Sequence, residues 1–166
     1  ATGALSLTAN GAITQTGAID ADGTSSITAG ANAITLTEAT NDFTGAVSLT
    51  GGVTSLKDAN DLTVSLTTSG TTAITAVNSL AVDGTVSGAT SDLSTTAAAT
   101  SFGTTAVGQN LSATASGNIS QTGGLDVEGT SSFTTQTNDT TITLTNVANE
   151  FTGAVSLIST DSDSNN

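Results

Sequence analysis

Residues 41–49 read NDFTGAVSL, and residues 149–157 read NEFTGAVSL, so the stretch recurs with one acidic residue exchanged for another. From residue 46 onward, apolar side chains alternate with small or polar ones in both copies. Successive side chains of a β-strand point to opposite faces, so this pattern predicts a strand with one buried face. We expect Phe43 and Phe151 to occupy equivalent positions and to point into the core.

The repetition extends outward from this stretch. Residues 12–28 (AITQTGAIDADGTSSIT) and 118–134 (NISQTGGLDVEGTSSFT) are identical at ten of 17 positions. We therefore expect one repeat region over residues 1–158. It holds a long unit at about 4–110 and a partial second copy at about 111–158. Residues 159–166 are polar and acidic, and we expect a disordered tail there.

The two-residue apolar period recurs along the whole chain, and no apolar stripe with a helical period of useful length occurs. Gly, Asn and Asp interrupt the short apolar pieces every 6–10 residues, as expected where the chain turns. This pattern predicts an all-β fold, a parallel β-solenoid of about eight rungs of roughly 20 residues. At ~4.8 Å per rung it would form a rod roughly 40 Å long. Because Asn-Gly and Asp-Gly also close hairpins, an antiparallel β-sandwich is the runner-up.

The strand pattern also predicts which side chains pack inside. The long unit would hold about five rungs, with Ser and Thr forming polar ladders outside. The residues that we expect in the core through the repeats are Phe43, Phe151, Leu36, Leu144, Val47 and Val155. Further inward residues are Leu5, Leu7, Ile34, Leu49, Leu62 and Val64, and Ser6, Thr35, Ser48 and Thr63 should point outward.

Composition excludes several classes of function. The 166 residues include no Cys and no His, so a thiolate nucleophile, a His base, a Cys/His zinc site and disulfides are all excluded. Lys57 is the only basic residue, and the net charge is −13. This charge argues against nucleic acid and against anionic lipid as partners. No apolar run approaches the ~20 residues of a membrane span, so we expect no membrane insertion.

The pieces AITQTG (12–17), DGTSS (22–26) and NDFTGAVSL (41–49) resemble repeats of filamentous-haemagglutinin-like proteins, which are large bacterial surface and secreted adhesins. The resemblance implies a right-handed parallel β-helix that serves as a stalk or adhesive fibre. It also implies a secreted or cell-surface location and a host or matrix glycan or protein as partner. That family's secretion domain carries Asn-Pro motifs, whereas this chain has no Pro. The resemblance therefore implies an interior or C-terminal segment, or a relative that is exported by another route.

Two pairs of carboxylates deserve a test as catalytic groups. Asp20 and Asp22, and again Asp126 and Glu128, stand two residues apart and so share one face of a strand. A glycosidase needs two carboxylates about 5–9 Å apart. A carbohydrate-active β-helix enzyme is therefore one alternative. The chain has no Trp or Tyr to form a sugar platform, and a lyase would need a base beyond the single Lys57. We predict no enzymatic activity.

Calcium is the one cation for which the sequence offers candidate ligands. The Asp-x-Asp spacing occurs at Asp20 and Asp22 and again at Asp161 and Asp163, and calcium prefers such oxygen ligands. Neither an EF-hand loop nor the Gly-rich calcium nonapeptide is present. We therefore predict no metal site and no cofactor, with calcium at these four residues as the alternative.

Thr-x-Thr pairs raise the alternative of an ice-binding solenoid, because flat Thr arrays order water in such proteins. The pairs are Thr14 with Thr16, Thr35 with Thr37, and Thr143 with Thr145. They do not recur at a fixed sequence interval of one pair per rung, which favours ordinary Thr ladders.

The ends of the repeat region predict how the molecule assembles. No capping segment is evident in the sequence, and an uncapped solenoid exposes unpaired strand edges. We expect these ends to self-associate end to end or to join neighbouring repeats of a longer chain.

Overall fold

A computed structural model describes residues 3–160, which form 19 β-strands and no helix. Residues 3–160 accordingly contain no helix that could span a bilayer. The strands are β1 (Leu5–Thr8), β2 (Ile13–Thr14), β3 (Asp20–Ala21), β4 (Ser25–Thr28), β5 (Ile34–Leu36), β6 (Asp42–Phe43), β7 (Val47–Gly51), β8 (Thr54–Asp58), β9 (Leu62–Thr68), β10 (Thr72–Ala76), β11 (Ser79–Val86), β12 (Leu93–Ala97), β13 (Ala99–Val107), β14 (Leu111–Ala115), β15 (Ile119–Gln121), β16 (Leu125–Val127), β17 (Ser131–Thr135), β18 (Glu150–Phe151) and β19 (Val155–Ser159).

All strand pairs of the described residues are parallel, so the chain is a parallel β-solenoid and not an antiparallel sandwich. The eight-stranded sheet runs β2-β5-β8-β10-β12-β14-β17-β19, with one strand from each of eight turns. A nine-stranded sheet runs β1-β4-β7-β9-β11-β13-β16-β18, with β15 beside β13, and β3 pairs with β6. The turns differ in length, because Val64 lies opposite Val47 whereas Glu150 lies opposite Asp126, a wider separation in sequence.

Each turn has three sides, which the chain visits in a fixed order. Side 1 carries β1, β4 and β7, side 2 is the eight-stranded sheet, and side 3 begins with β3 and β6. In later turns one long strand serves two sides. The first half of β13 pairs with β15 on side 3, and its second half pairs with β16 on side 1.

The two sequence copies lie on different sides of the rod. β7 lies on side 1, whereas its repeat equivalent β19 lies on side 2; β4 and its equivalent β17 differ in the same way. Phe43 lies on side 3 and Phe151 on side 1. The repeat therefore spans five turns and one further side, rather than five whole turns. Phe43 and Phe151 occupy the same place within their short strands, as expected. The expectation that they occupy equivalent positions of the solenoid is wrong, because they lie on different sides of the rod.

Most of the expected core is buried. Phe43, Leu36, Val47, Ile34, Leu49, Leu62 and Val64 are each no more than 1% exposed, and Ser6, Thr35, Ser48 and Thr63 are exposed as expected. Leu144 and Phe151 are half-buried against this core, as are Leu5 and Leu7. The expectation fails for Val155, which is 45% exposed. Val155 lies on β19, the edge strand of its sheet, so no further turn of the described residues covers it.

Aromatic rings pack in the core of the C-terminal half of the rod. Phe133 packs edge to face between Phe102 and Phe151, with ring centroids 6.1 and 6.2 Å apart. This geometry is favourable for aromatic pairs. Phe102 lies in the fifth turn, Phe133 in the seventh and Phe151 in the eighth, so the rings connect turns on both sides of the start of the second copy, and the core has no break there.

The expected boundary at residue 158 falls inside a strand. Ser159 belongs to β19, and both the N–H and the hydroxyl of Thr160 donate to the carbonyl of Thr135. These bonds to the preceding turn keep the chain in the sheet beyond the apolar residues. The rest of the expected tail, residues 161–166, lies outside the described residues.

Candidate functional site

A pair of side-chain amides joins successive turns at one corner of the rod. Gln15 follows β2, and Asn41 precedes β6 one turn later. Gln15 Nε2 donates to Asn41 Oδ1 at 2.7 Å, and Asn41 Nδ2 donates to Gln15 Oε1 at 3.0 Å. We call such a Gln–Asn pair an amide clamp. It connects loops that have no strand ladder between them.

Asn41 uses all its hydrogen-bonding capacity while it is completely buried. Its Oδ1 also accepts the N–H of Ile19 at 2.9 Å. Its Nδ2 also donates to the carbonyls of Leu36 and Lys57, both at 3.2 Å. Because Gln15, Asn41 and Lys57 belong to three successive turns, this one side chain ties three turns together. A buried amide that is satisfied in this way stabilises the fold instead of costing desolvation energy.

The second copy rebuilds the clamp on the next corner. Gln121 Nε2 donates to Asn149 Oδ1 at 2.7 Å, and Asn149 Nδ2 donates back to Gln121 Oε1 at 2.9 Å. Asn149 also accepts the N–H of Leu125 at 3.0 Å and donates to the carbonyl of Leu144 at 3.3 Å. Within residues 3–160, no hydrogen bond of Asn149 corresponds to the one between Asn41 and Lys57, and Asn149 is only half-buried.

Sequence reasoning did not identify the clamp. In the sequence, Asn41 and Asn149 resemble any Asn at a turn, and Gln15 and Gln121 stand out only as part of the repeat. The available signal was that a Gln and an Asn recur together in both copies, in QTG and in N-[DE]-FTG. Large polar residues retained amid small ones indicate a specific hydrogen-bonding role.

Asp58, at the end of β8 in the third turn, uses its side chain to accept hydrogen bonds from the backbone. Its carboxylate accepts the N–H of Phe43 at 2.8 Å and that of Asn60 at 3.0 Å. The residue is 2% exposed. This burial raises the pKa of the Asp58 carboxyl above its ordinary range, and the nearby charge of Asp42 acts in the same direction. The two donated N–H groups lower the pKa but do not cancel the effect of burial.

Hydroxyl ladders cover the first turns of side 1, as the alternation predicts. One outward column places Thr residues of five turns opposite one another, and the column beside it places Ser residues of four turns in the same way. The columns are Thr8-Thr28-Thr50-Thr67-Thr85 and Ser6-Ser26-Ser48-Ser65. The register stays regular because loops at the corners absorb the unequal turn lengths. A groove of about 520 Å³ follows the Ser column, with Ala4, Ala46 and Asp83 among its lining residues.

The four carboxylates considered for catalysis are exposed and do not form one site. Asp20 lies on β3 and its repeat equivalent Asp126 on β16, which belong to different sheets. Asp20 faces Asp42 across the strand pair, and Asp126 faces Glu150. Asp126 and Glu128 border a depression of only about 190 Å³. Small-molecule sites are usually larger, at about 300–1,000 Å³.

The calcium candidates fall into two groups. Asp20 and Asp22 are exposed at the surface, and Asp161 and Asp163 lie outside the described residues. Within residues 3–160, no three Asp or Glu side chains come together in a way that could hold a metal ion.

Comparison with curated proteins and comparison with solved structures each found no match. A family model described as repeats of unknown function (DUF5649) matches residues 1–50 and 90–158, which is more than half of the chain. The first match contains the Gln15–Asn41 clamp, and the second contains the Gln121–Asn149 clamp. The unmatched residues 51–89 contain no Gln. The chain therefore belongs to the family of DUF5649 repeats.

Proposed function

We propose that this chain is a structural or adhesive segment of a longer bacterial fibre, secreted or held at the cell surface, and that it has no catalytic activity. The observation that carries the proposal is the continuity between the two family repeats. They share one core, because the parallel strand ladders and a single cluster of buried apolar side chains run without a break through residues 51–89 between the two matches. Repeats that continue one another without a boundary build length, as in other solenoids.

The location part of the proposal draws on the resemblance to filamentous-haemagglutinin-like repeats and on the exposed, hydroxyl-rich surface. The test is immunogold electron microscopy with antibodies against residues 3–160, on bacteria that express the natural protein. We expect gold label outside the cell, on filaments or on the envelope. Label confined to the cytoplasm would contradict the proposal.

The adhesive part assigns glycan binding to the side 1 groove, where hydroxyls and the carboxylate of Asp83 are available as hydrogen-bonding groups. Beads coated with the protein should bind a subset of a host glycan and matrix-protein array. Ser48→Arg, which fills the groove, should abolish this binding. Ser112→Arg places the same side chain at an exposed position on side 2 and should leave binding unchanged. Failure of the wild type to bind any array member would reduce the role to a stalk.

The Thr column favours ice binding as a second candidate function. Thr8, Thr28, Thr50, Thr67 and Thr85 repeat at strand spacing, ~4.8 Å, over five turns. The column is a single line of Thr beside the Ser column, so the regular array consists of Ser-x-Thr and not of the Thr-x-Thr pairs named above. An ice-recrystallisation assay would support this candidate if the wild type inhibits crystal growth and Thr67→Lys, at an exposed position of the column, does not. Thr96→Lys, at an exposed position on side 2, is the matched control.

A further inference from the structure

The two copies of FTGAVSL differ sharply in burial, although their sequences are the same. Val47 and Leu49 are each 1% exposed, whereas their equivalents Val155 and Leu157 are 45% and 58% exposed. We call Phe151, Val155 and Leu157 the end face. It is the surface that is covered in the first copy and open in the second.

The first copy shows which chemistry covers such a face. β9 pairs in parallel with β7, with Val64 opposite Val47 and Leu66 opposite Leu49. The next turn also supplies the carbonyl of Lys57 to the amide of Asn41. The covering element is therefore a parallel strand with alternating apolar residues, which adds backbone hydrogen bonds and extends the core.

The opposite end of the rod carries a strand of this kind. β1 is the edge strand of the nine-stranded sheet, and its Leu5 and Leu7 alternate with Ser6 and Thr8. Leu5 and Leu7 are only half-buried. The repeat equivalent of β1 is β14, which already lies in the eight-stranded sheet that β19 ends. A strand of this sequence type therefore fits side 2.

We propose that the end face binds the first turn of a second copy, head to tail. β1 of one molecule then pairs in parallel with β19 of the other, with Leu5 opposite Val155 and Leu7 opposite Leu157. The inference rests on the proposed fibre function and specifies the joint that such a fibre uses. Open strand edges favour this kind of addition because their N–H and C=O groups lack ladder partners.

Electrostatic repulsion between the acidic ends of two molecules opposes the joint and makes their association dependent on salt. Asp20 and Asp22 belong to the first turn and Glu150 to the last, and the only basic side chain, Lys57, lies in the third turn. Exposed charges are screened over ~8 Å at physiological ionic strength and over shorter distances at higher salt. Association should therefore strengthen as the salt concentration rises.

Sedimentation equilibrium of the wild-type protein at low and high salt tests the joint. We expect oligomers that increase with protein concentration and with salt. Leu157→Lys, at a position that is already exposed, should give a monomer. Val53→Lys is the matched control, because Val53 is 57% exposed and lies in the third turn, away from both ends; it should associate like the wild type. A wild type that stays monomeric throughout would overturn the proposal.

Disulfide trapping tests the direction of assembly, since the chain has no native Cys. In the proposed register Ser6 lies opposite Ser156, at a distance between neighbouring strands that a disulfide can bridge. Ser6→Cys and Ser156→Cys proteins should form a mixed dimer on oxidation, and the double variant should form a ladder of oligomers. Efficient dimerisation of Ser156→Cys alone would show tail-to-tail pairing and overturn the proposal. The proposed fibre function is contradicted by a different result, namely antibody label that is confined to the cytoplasm.

Discussion

Gln15 and Asn41 are 26 residues apart in sequence, yet their side-chain amides exchange two hydrogen bonds and tie the first turn of the rod to the second. The pair Gln121 and Asn149 does the same at the next corner. Both pairs lie where the chain leaves the strand ladder and backbone pairing between turns is interrupted. The polar residues shared by the repeats therefore hold corners together.

The clamp predicts a difference between two identical substitutions. Asn41→Ala should lower the free energy of unfolding by ~3 kcal/mol or more, because it leaves Gln15 and the backbone groups of Ile19 and Leu36 without partners in a buried place. Asn149→Ala should cost about 1–2 kcal/mol less, since Asn149 is half-buried and makes one hydrogen bond fewer. Urea unfolding of both variants measures this difference. Equal losses would show that the contact with Lys57 adds nothing.

A second comparison uses the two Phe residues of the repeat. Phe43 is 1% exposed, and Phe43→Ala should cost about 3–5 kcal/mol through lost transfer energy and a cavity. Phe151 is half-buried and packs on Phe133, so Phe151→Ala should cost only about 1–2 kcal/mol. Thermal and urea unfolding would measure both. A larger loss for Phe151 would mean that the end face is covered in solution.

The fold class could be predicted because it depends on local alternation. Leu62 and Val64 are buried and Thr63 between them is exposed, as a two-residue period requires. Burial also depends on position in the stack, which the sequence pattern does not contain. Val47 and Val155 have the same neighbours along the chain, and only Val47 has a following turn over it.

The strand register and the side of the rod on which each repeat lies were harder to predict, because both depend on the lengths of the corner loops. Val47 pairs with Val64, whereas Asp126 pairs with Glu150, which lies farther along the chain from its partner. The number of residues therefore predicts about five rungs per repeat and does not predict the extra side. The amide clamp was missed for a related reason. Asn41 resembles any turn-forming Asn until the loop carrying Gln15 is placed beside it in space.

A buried hydroxyl gives a prediction of increased stability. Ser25 is 2% exposed, points into the core from β4, and its Oγ has no hydrogen-bond partner among the described residues. Ser25→Ala should raise the free energy of unfolding by about 1 kcal/mol, because it removes a polar group that is desolvated without compensation. Ser26→Ala, on the exposed face of the same strand, is the control and should change little. A destabilised Ser25→Ala protein would reveal a hydrogen bond to an internal water.

The carboxylate pairs predict no catalytic turnover. Asp20 and Asp126 lie on different sheets, and both are exposed, as are Asp22 and Glu128. A screen on acidic and neutral polysaccharides, with and without calcium, should detect no products. Turnover that disappears in Asp126→Ala or Asp20→Ala would contradict the fibre proposal and establish a carbohydrate-active enzyme.

The buried carboxylate of Asp58 predicts how stability changes with pH. Burial raises its pKa in the folded protein above the ordinary value of 3.8, which it regains on unfolding. Between these two pKa values the folded state binds more protons than the unfolded state, so stability falls as pH rises through this window. Above the folded-state pKa the carboxylate is charged in the folded protein, and the full free-energy cost of burying that charge remains. Acidification from pH 7 to pH 4 should therefore stabilise the protein through Asp58.

Comparison with variants isolates this contribution from that of the other carboxylates. Asp58→Asn removes the titration, and its amide oxygen can still accept the N–H of Phe43. We expect the gain in unfolding free energy between pH 7 and pH 4 to be smaller in Asp58→Asn than in the wild type. Asp61→Asn removes an exposed negative charge nearby in the chain and controls for the change in net charge. The unfolding free energy at each pH is measured by urea unfolding. If Asp58→Asn gains as much unfolding free energy between pH 7 and pH 4 as the wild type, the Asp58 carboxylate is hydrated in solution and the prediction is wrong.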